Sequence, residues 1–103
     1  MPRISNTIAK EDYSAVTKAL IKVRKAYGFS RKDSAEAIFV SYQLIRDMEL
    51  GITITKTSLH HIWMMYSDYL FDLNKDKCLT LEEYIDIQHS LDIIGKALYG
   101  EEY

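Results

Sequence analysis

The chain has 103 residues, a formal net charge of −2 and 48% hydrophobic residues, which suits a single domain over residues 1–103. One cysteine excludes an internal disulfide framework, and no stretch approaches the ~18 apolar residues of a membrane span. We therefore expect a cytoplasmic protein without a membrane segment. One proline and four glycines leave few helix breakers, which predicts an all-α fold.

The first predicted helix runs from about Asn6 or Thr7 to Tyr27. Its apolar residues recur at steps of three and four and form one stripe: Tyr13, Val16, Leu20, Val23 and Tyr27. Gly28 ends the helix, as glycine often does at a helix C-terminus.

A second helix is predicted from an N-cap at Ser30, where Asp33 completes a pattern like a capping box, to about Glu49 or Leu50. Its predicted buried residues are Ala35, Ile38, Phe39, Tyr42 and Ile45. Gly51 ends this helix. The segment 52–55 alternates β-branched residues, which predicts a short extended strand.

A third helix is predicted from a cap at Thr57 or Ser58 to about Phe71, and a fourth from about Leu81 to Gly100. The third has its inward stripe at Leu59, Ile62, Trp63, Tyr66 and Leu70. The fourth has its stripe at Tyr84, Ile87, Leu91, Ile94 and Leu98. The third helix also carries more apolar residues than one stripe needs. Either Met64, Met65 and Tyr69 line a partner-binding surface, or they are buried at the centre of the bundle.

The segment between these two helices, residues 72–83, places side-chain oxygens at regular positions of a twelve-residue window. The first, third and fifth positions hold Asp72, Asn74 and Asp76. Thr80 is ninth and Glu83 is twelfth. Hard cations such as Ca²⁺ require six to eight oxygen ligands, and a curled loop with this spacing can supply them.

The segment resembles the loop of the EF-hand calcium-binding family, and the wider resemblance covers residues 59–98. It implies that Asp72, Asn74, Asp76 and Glu83 are Ca²⁺ ligands, with Mg²⁺ as an alternative ion. It also implies that Cys78 contributes its backbone carbonyl and that Thr80 holds a bridging water. Lys77 departs from the pattern because it stands where the family has glycine. Asp68 departs as well, since a large apolar residue is usual four positions before the first ligand.

The resemblance implies an EF-hand pair within a four-helix domain, in which a plain turn at residues 28–30 replaces the first loop. EF-hands pair through a short β-bridge at the eighth loop position, which is Leu79 here. Its partner would be the segment 52–54 or a second subunit in a homodimer.

Other candidate sites have weaker support. His60, His61 and His89 do not show the spacing of a metal site, and Cys78 lacks the neighbours of a catalytic thiol. No phosphate loop or nucleophile elbow is present, so we do not expect an enzyme. One basic cluster could contact nucleic acid: Lys18, Lys22, Arg24, Lys25, Arg31 and Lys32. The apolar segment 62–65 disfavours a recognition helix and makes nucleic acid an unlikely partner.

The charge is unevenly distributed, because residues 1–56 carry ten Lys and Arg against six Asp and Glu, whereas residues 57–103 carry three against nine. The acidic half contains the candidate ion loop. The sequence thus predicts a calcium-binding regulatory or protein-interaction module with an unidentified protein partner. The alternative is a metal-free helical adaptor or inhibitor that binds another protein, and a nucleic-acid binder has less support.

Overall fold

The computed structural model describes residues 6–100 and confirms the all-α class. After a short 3-10 helix at Lys10–Asp12, the described chain forms five α-helices. They are α1 (Tyr13–Ala26), α2 (Arg31–Ala37), α3 (Tyr42–Glu49), α4 (Lys56–Lys75) and α5 (Leu81–Tyr99). Helix α5 packs against both α1 and α4, while the two short helices α2 and α3 pack on each other and α3 contacts α1.

The core lies where the predicted stripes of the three long helices meet. Helix α1 contributes Val16, Leu20 and Val23, all nearly inaccessible to solvent. The stripes of the other two long helices contribute Leu59, Ile62, Tyr66, Leu70, Ile87, Leu91 and Ile94. Burying such side chains is the main favourable term in folding, at about 25 cal/mol per Å² of apolar surface. The helical periodicity of these segments predicted this part of the core, whereas the buried residues Ile8, Met48 and Ile54 lie outside the predicted stripes.

The predicted second helix is instead two helices, because the chain breaks after α2. Phe39 adopts a left-handed backbone with φ of 60°, and the Val40 N–H donates to the Ala35 carbonyl at 3.0 Å. Ser41 then caps α3, where its side chain accepts from the Leu44 N–H. The predictions that Phe39 and Tyr42 are buried were wrong, since Phe39 is 85% exposed and Tyr42 is also exposed.

The predicted strand at 52–55 is absent from the described part of the chain, which contains only an isolated antiparallel bridge between Thr7 and Thr55. The Ile8 N–H donates to the Ile54 carbonyl at 3.2 Å, so Ile54 pairs with the N-terminal segment and not with Leu79. This pairing also explains why α1 begins later than predicted, since the segment from Asn6 to Ala9 is not helical. Helix α4 begins two or three residues earlier than predicted, with Thr55 as its cap.

A buried ion pair joins α1 to α3. The Arg24 guanidinium donates to both carboxylate oxygens of Glu49, at 2.6 and 2.9 Å, and to the Phe29 carbonyl at 2.8 Å. Arg31, the first residue of α2, donates to the same carboxylate at 3.1 Å. Glu49 therefore holds α1, α2 and α3 together, and two members of the predicted basic cluster serve this internal network.

Candidate functional site

Helix α4 continues through the first third of the candidate ion loop. It ends at Lys75 and not at Phe71, so Asp72 and Asn74 are helical residues. An α-helix turns by about 100° per residue, and side chains two positions apart therefore point in widely different directions. Asp72 and Asn74 cannot face a common centre while this turn of α4 is formed.

The turn after α4 is a helix C-cap motif centred on Lys77. The Lys77 N–H donates to the Asn74 carbonyl at 3.1 Å, and the Cys78 N–H donates to the Leu73 carbonyl at 2.9 Å. Lys77 has a φ of 56°, in the left-handed region where a side chain costs about 1 kcal/mol relative to glycine. The same hydrogen-bond pattern ends α1 at Gly28, where the motif has its usual residue.

At the start of α5, the last two candidate ligands, Thr80 and Glu83, are hydrogen-bonded to each other in a capping box. The Glu83 N–H donates to the Thr80 hydroxyl at 3.2 Å, and the Thr80 N–H donates to the Glu83 carboxylate at 2.9 Å. The bond from the Thr80 backbone N–H lowers the pKa of Glu83, with a further contribution from the Thr80 side chain. The Glu83 carboxylate thus stabilises the first turn of α5.

The predicted ligands do not fit a calcium ion as they are arranged here. Across residues 6–100, no group of three or more His, Cys, Asp or Glu side chains could hold a metal ion. Asp76 lies at the C-cap of α4, and Cys78 is an exposed free cysteine. Calcium binding stays a prediction that requires a different conformation of the loop.

The predicted partner-binding residues Met64, Met65 and Tyr69 lie on two different faces of α4. Met64 is 47% exposed on the outward face, whereas Met65 and Tyr69 are half-buried and line a cavity facing α2. The sequence left two alternatives open, a surface position and an interior position. The first describes Met64, and the second describes Met65 and Tyr69 in part.

The cavity beside α2 has a volume of about 140 Å³ and aromatic walls. Its walls include Phe29, Ile38, Met65, Tyr66 and Tyr69, and its exposed side carries Asp68 and Asp72. We call this set of residues the aromatic pocket.

The rings around the aromatic pocket hold one another in place. The ring centroids of Phe29 and Tyr69 are 5.2 Å apart, and those of Tyr27 and Tyr69 are 4.7 Å apart. The Tyr27 hydroxyl donates to the Tyr66 carbonyl at 2.7 Å, and the Tyr66 hydroxyl is hydrogen-bonded to Ser34. Burial raises the pKa of Tyr27, and burial likewise raises that of Tyr66, so both phenols stay neutral.

A second feature is a set of exposed large apolar side chains on α4 and α5. It consists of Met64, Phe71, Leu81 and Ile85, which are 47%, 67%, 74% and 56% exposed, and we call it the outer patch. Phe71 follows Met64 by seven residues and Ile85 follows Leu81 by four, so each pair shares one side of its helix. Of these four residues, only Met64 was predicted to line a partner-binding surface. The other three also fall outside the inward stripes of their helices, which was visible in the sequence.

Two of the three histidines and half of the basic cluster have local partners. His61 Nε2 lies 2.9 Å from the Ile38 carbonyl, and the His60 ring contacts Trp63 and Tyr99. Lys22 pairs with Asp86 at 2.7 Å on the surface between α1 and α5. With Arg24 and Arg31 bound to Glu49, half of the basic cluster is paired to carboxylates of this chain.

Comparisons with family models, with curated protein sequences and with solved structures gave no match to this chain. The resemblance to EF-hands therefore depends on the sequence of residues 59–98 alone. None of the helices within residues 6–100 has the length and apolar composition needed to span a membrane.

Proposed function

We propose that this chain is a small protein-interaction module whose outer patch binds a protein partner. The observation that supports this proposal is the exposure of four large apolar side chains on one helical hairpin whose inward stripes already fill the core. Single exposed apolar residues are common on protein surfaces, whereas a group of them is typical of an interaction site. The side chains belong to α4 and α5, which are joined by only five residues, so helices and not a long loop present them.

Two variants test the outer patch. Leu81→Ser and Ile85→Ser remove exposed apolar atoms, and they should fold like the wild type because neither side chain is buried. In affinity capture from the source cells, each should lose a protein that the wild-type chain retains. Lys25→Ser, a change at an exposed residue of α1, is the control and should retain it.

Self-association is tested on the same variants by sedimentation. If the partner is a second copy, the wild type should sediment as a dimer and both patch variants as monomers. The proposal is wrong if both patch variants keep every captured protein and the oligomeric state of the wild type.

Calcium regulation is a second candidate function, favoured by the backbone of Lys77. Its left-handed conformation lies at the sixth loop position, where EF-hand loops make a sharp turn. Thr80 and Glu83 also occupy the ninth and twelfth positions at the start of a helix. The last turn of α4 would have to open before Asp72 and Asn74 could act together with Glu83.

Calorimetric titration of the chelator-treated protein with Ca²⁺, in the presence of Mg²⁺, tests this candidate. One-to-one binding that is lost in Glu83→Gln would support it. No heat, together with no change in melting temperature at about 1 mM Ca²⁺, would show that the loop is a plain turn between two helices.

A further inference from the structure

We propose that the aromatic pocket between α2 and α4 binds the side chain of an arginine from a protein partner. The site lies on a different face of α4 from the outer patch, so the inference goes beyond the proposed function and does not depend on the patch.

The size of the pocket limits what it can hold. Its volume of about 140 Å³ is well below the roughly 300–1,000 Å³ of pockets that enclose whole small-molecule ligands. A pocket of this size suits the end of one side chain. An arginine stem can lie along Met65 and Ile38, since long charged side chains pack their methylene groups on apolar surface.

The walls provide aromatic surface for a flat cation. Phe29 and Tyr69 are tilted by 44° at a centroid distance of 5.2 Å, and Tyr69 meets Tyr27 nearly edge to face. The faces of such rings attract cations, and guanidinium groups stack on them more often than ammonium groups do.

The charge at the pocket selects a cation. Asp68 and Asp72 are separated by four residues and so lie one above the other on α4, where like charges repel each other. Neither takes part in the ion pairs found within residues 6–100. A guanidinium group would relieve this repulsion, and its planar set of donors can reach two carboxylates at once.

The chemistry of the pocket therefore disfavours other occupants. A neutral apolar side chain would leave both carboxylates unpaired, and an acidic one would be repelled by them. A lysine would gain the charge attraction but lose the planar stacking and the paired hydrogen bonds of arginine.

NMR titration of the isotope-labelled chain with N-acetyl-arginine amide tests the site. N-acetyl-citrulline amide is the matched control, because it has nearly the shape of N-acetyl-arginine amide without the charge. We expect arginine to shift the signals of Phe29, Met65 and Tyr69, and we expect citrulline to bind at least about fivefold more weakly.

Charge variants test whether arginine binds beside Asp68 and Asp72. Asp68→Asn and Asp72→Asn change exposed residues and should fold normally, and each should weaken arginine binding by about two- to fivefold. Glu82→Gln removes an equal charge from an exposed residue outside the pocket lining and should leave binding unchanged. Equal binding of arginine and citrulline, unchanged binding in the Asp68→Asn/Asp72→Asn double variant, or no shift at about 50 mM arginine would overturn the proposal. A failure of the outer-patch variants would leave it intact.

Discussion

Within residues 6–100, two residues other than glycine, Phe39 and Lys77, adopt the left-handed backbone that glycine accepts most easily. Phe39 is almost fully exposed and Lys77 is exposed, so replacing either by glycine removes no buried contact. We expect Phe39→Gly and Lys77→Gly each to raise the free energy of unfolding by about 1 kcal/mol in urea denaturation.

The neighbouring Lys75→Gly is the matched control for this effect. Lys75 is the last residue of α4 and is helical, so glycine there should lower the free energy of unfolding by up to about 1 kcal/mol. A destabilised Lys77→Gly variant would show that the left-handed turn does not form in solution.

The buried carboxylate of Glu49 accepts hydrogen bonds from Arg24 and Arg31. Removing one member of a buried ion pair leaves the other charged and without its partner, which usually costs about 3–5 kcal/mol. We therefore expect Glu49→Ala to lower the free energy of unfolding by about 3 kcal/mol in chemical denaturation.

Asp86→Ala, which breaks the exposed pair with Lys22, is the comparison and should cost at most about 1 kcal/mol. Equal losses from the two variants would contradict the structural role assigned to Glu49.

Glu83 should contribute to acid sensitivity because its pKa is lowered by the Thr80 N–H. A carboxylate with a lowered pKa in the folded state stabilises the fold above its ordinary value of 4.5, and this contribution is lost as the pH falls through the lower folded value. Melting temperatures of the wild type and Glu83→Gln should therefore differ near neutral pH and converge as the solution is acidified. A difference that does not change with pH would count against the capping box.

At the scale of single elements, the features that could be predicted from the sequence are those that depend on neighbouring residues in the chain, such as helix caps. The capping box of Ser30 with Asp33 was predicted from residue type and spacing, whereas that of Thr80 with Glu83 was not, because both residues were assigned to the ion loop. The break between α2 and α3 could not be predicted, because the left-handed position is occupied by Phe39 and no glycine or proline marks it. Only Ser41, a good N-cap residue, indicated that a new helix begins at this point.

The segment 52–55 shows how an alternating pattern can arise without a strand. Ile54 is fully buried but Ile52, two residues earlier, is 60% exposed, so the two do not share one face as residues i and i+2 of a strand would. The segment pairs with the N-terminal residues through one isolated bridge, and the alternation in the sequence therefore did not reflect a strand.

The end of α4 also differs from what the local sequence predicts. Asp72, Asn74 and Asp76 are typical of loops, and their spacing predicts ion ligands. Leu73 is half-buried at a position that continues the inward stripe after Leu70, and it extends the helix through the first two of them. Packing of one leucine and a helix C-cap thus outweigh the local preference of the polar residues.

At the scale of the whole molecule, α4 contributes to the core and to both of the proposed binding surfaces. Its inward face fills the core, its outward face contributes Met64 and Phe71 to the outer patch, and the face toward α2 lines the aromatic pocket. The excess of apolar residues on this helix was visible in the sequence. Its division between two surfaces was not, because that depends on where α2 and α5 pack.

Site-specific photo-crosslinking in the source cells tests the interaction role of the outer patch most directly. A benzophenone amino acid replaces Leu81 in one variant and Lys25, an exposed residue of α1, in the other. We expect the Leu81 variant to give a discrete crosslinked adduct with a protein partner or a second copy of the chain, and the Lys25 variant to give none. No adduct from position 81, or the same adducts from both positions, would contradict the account.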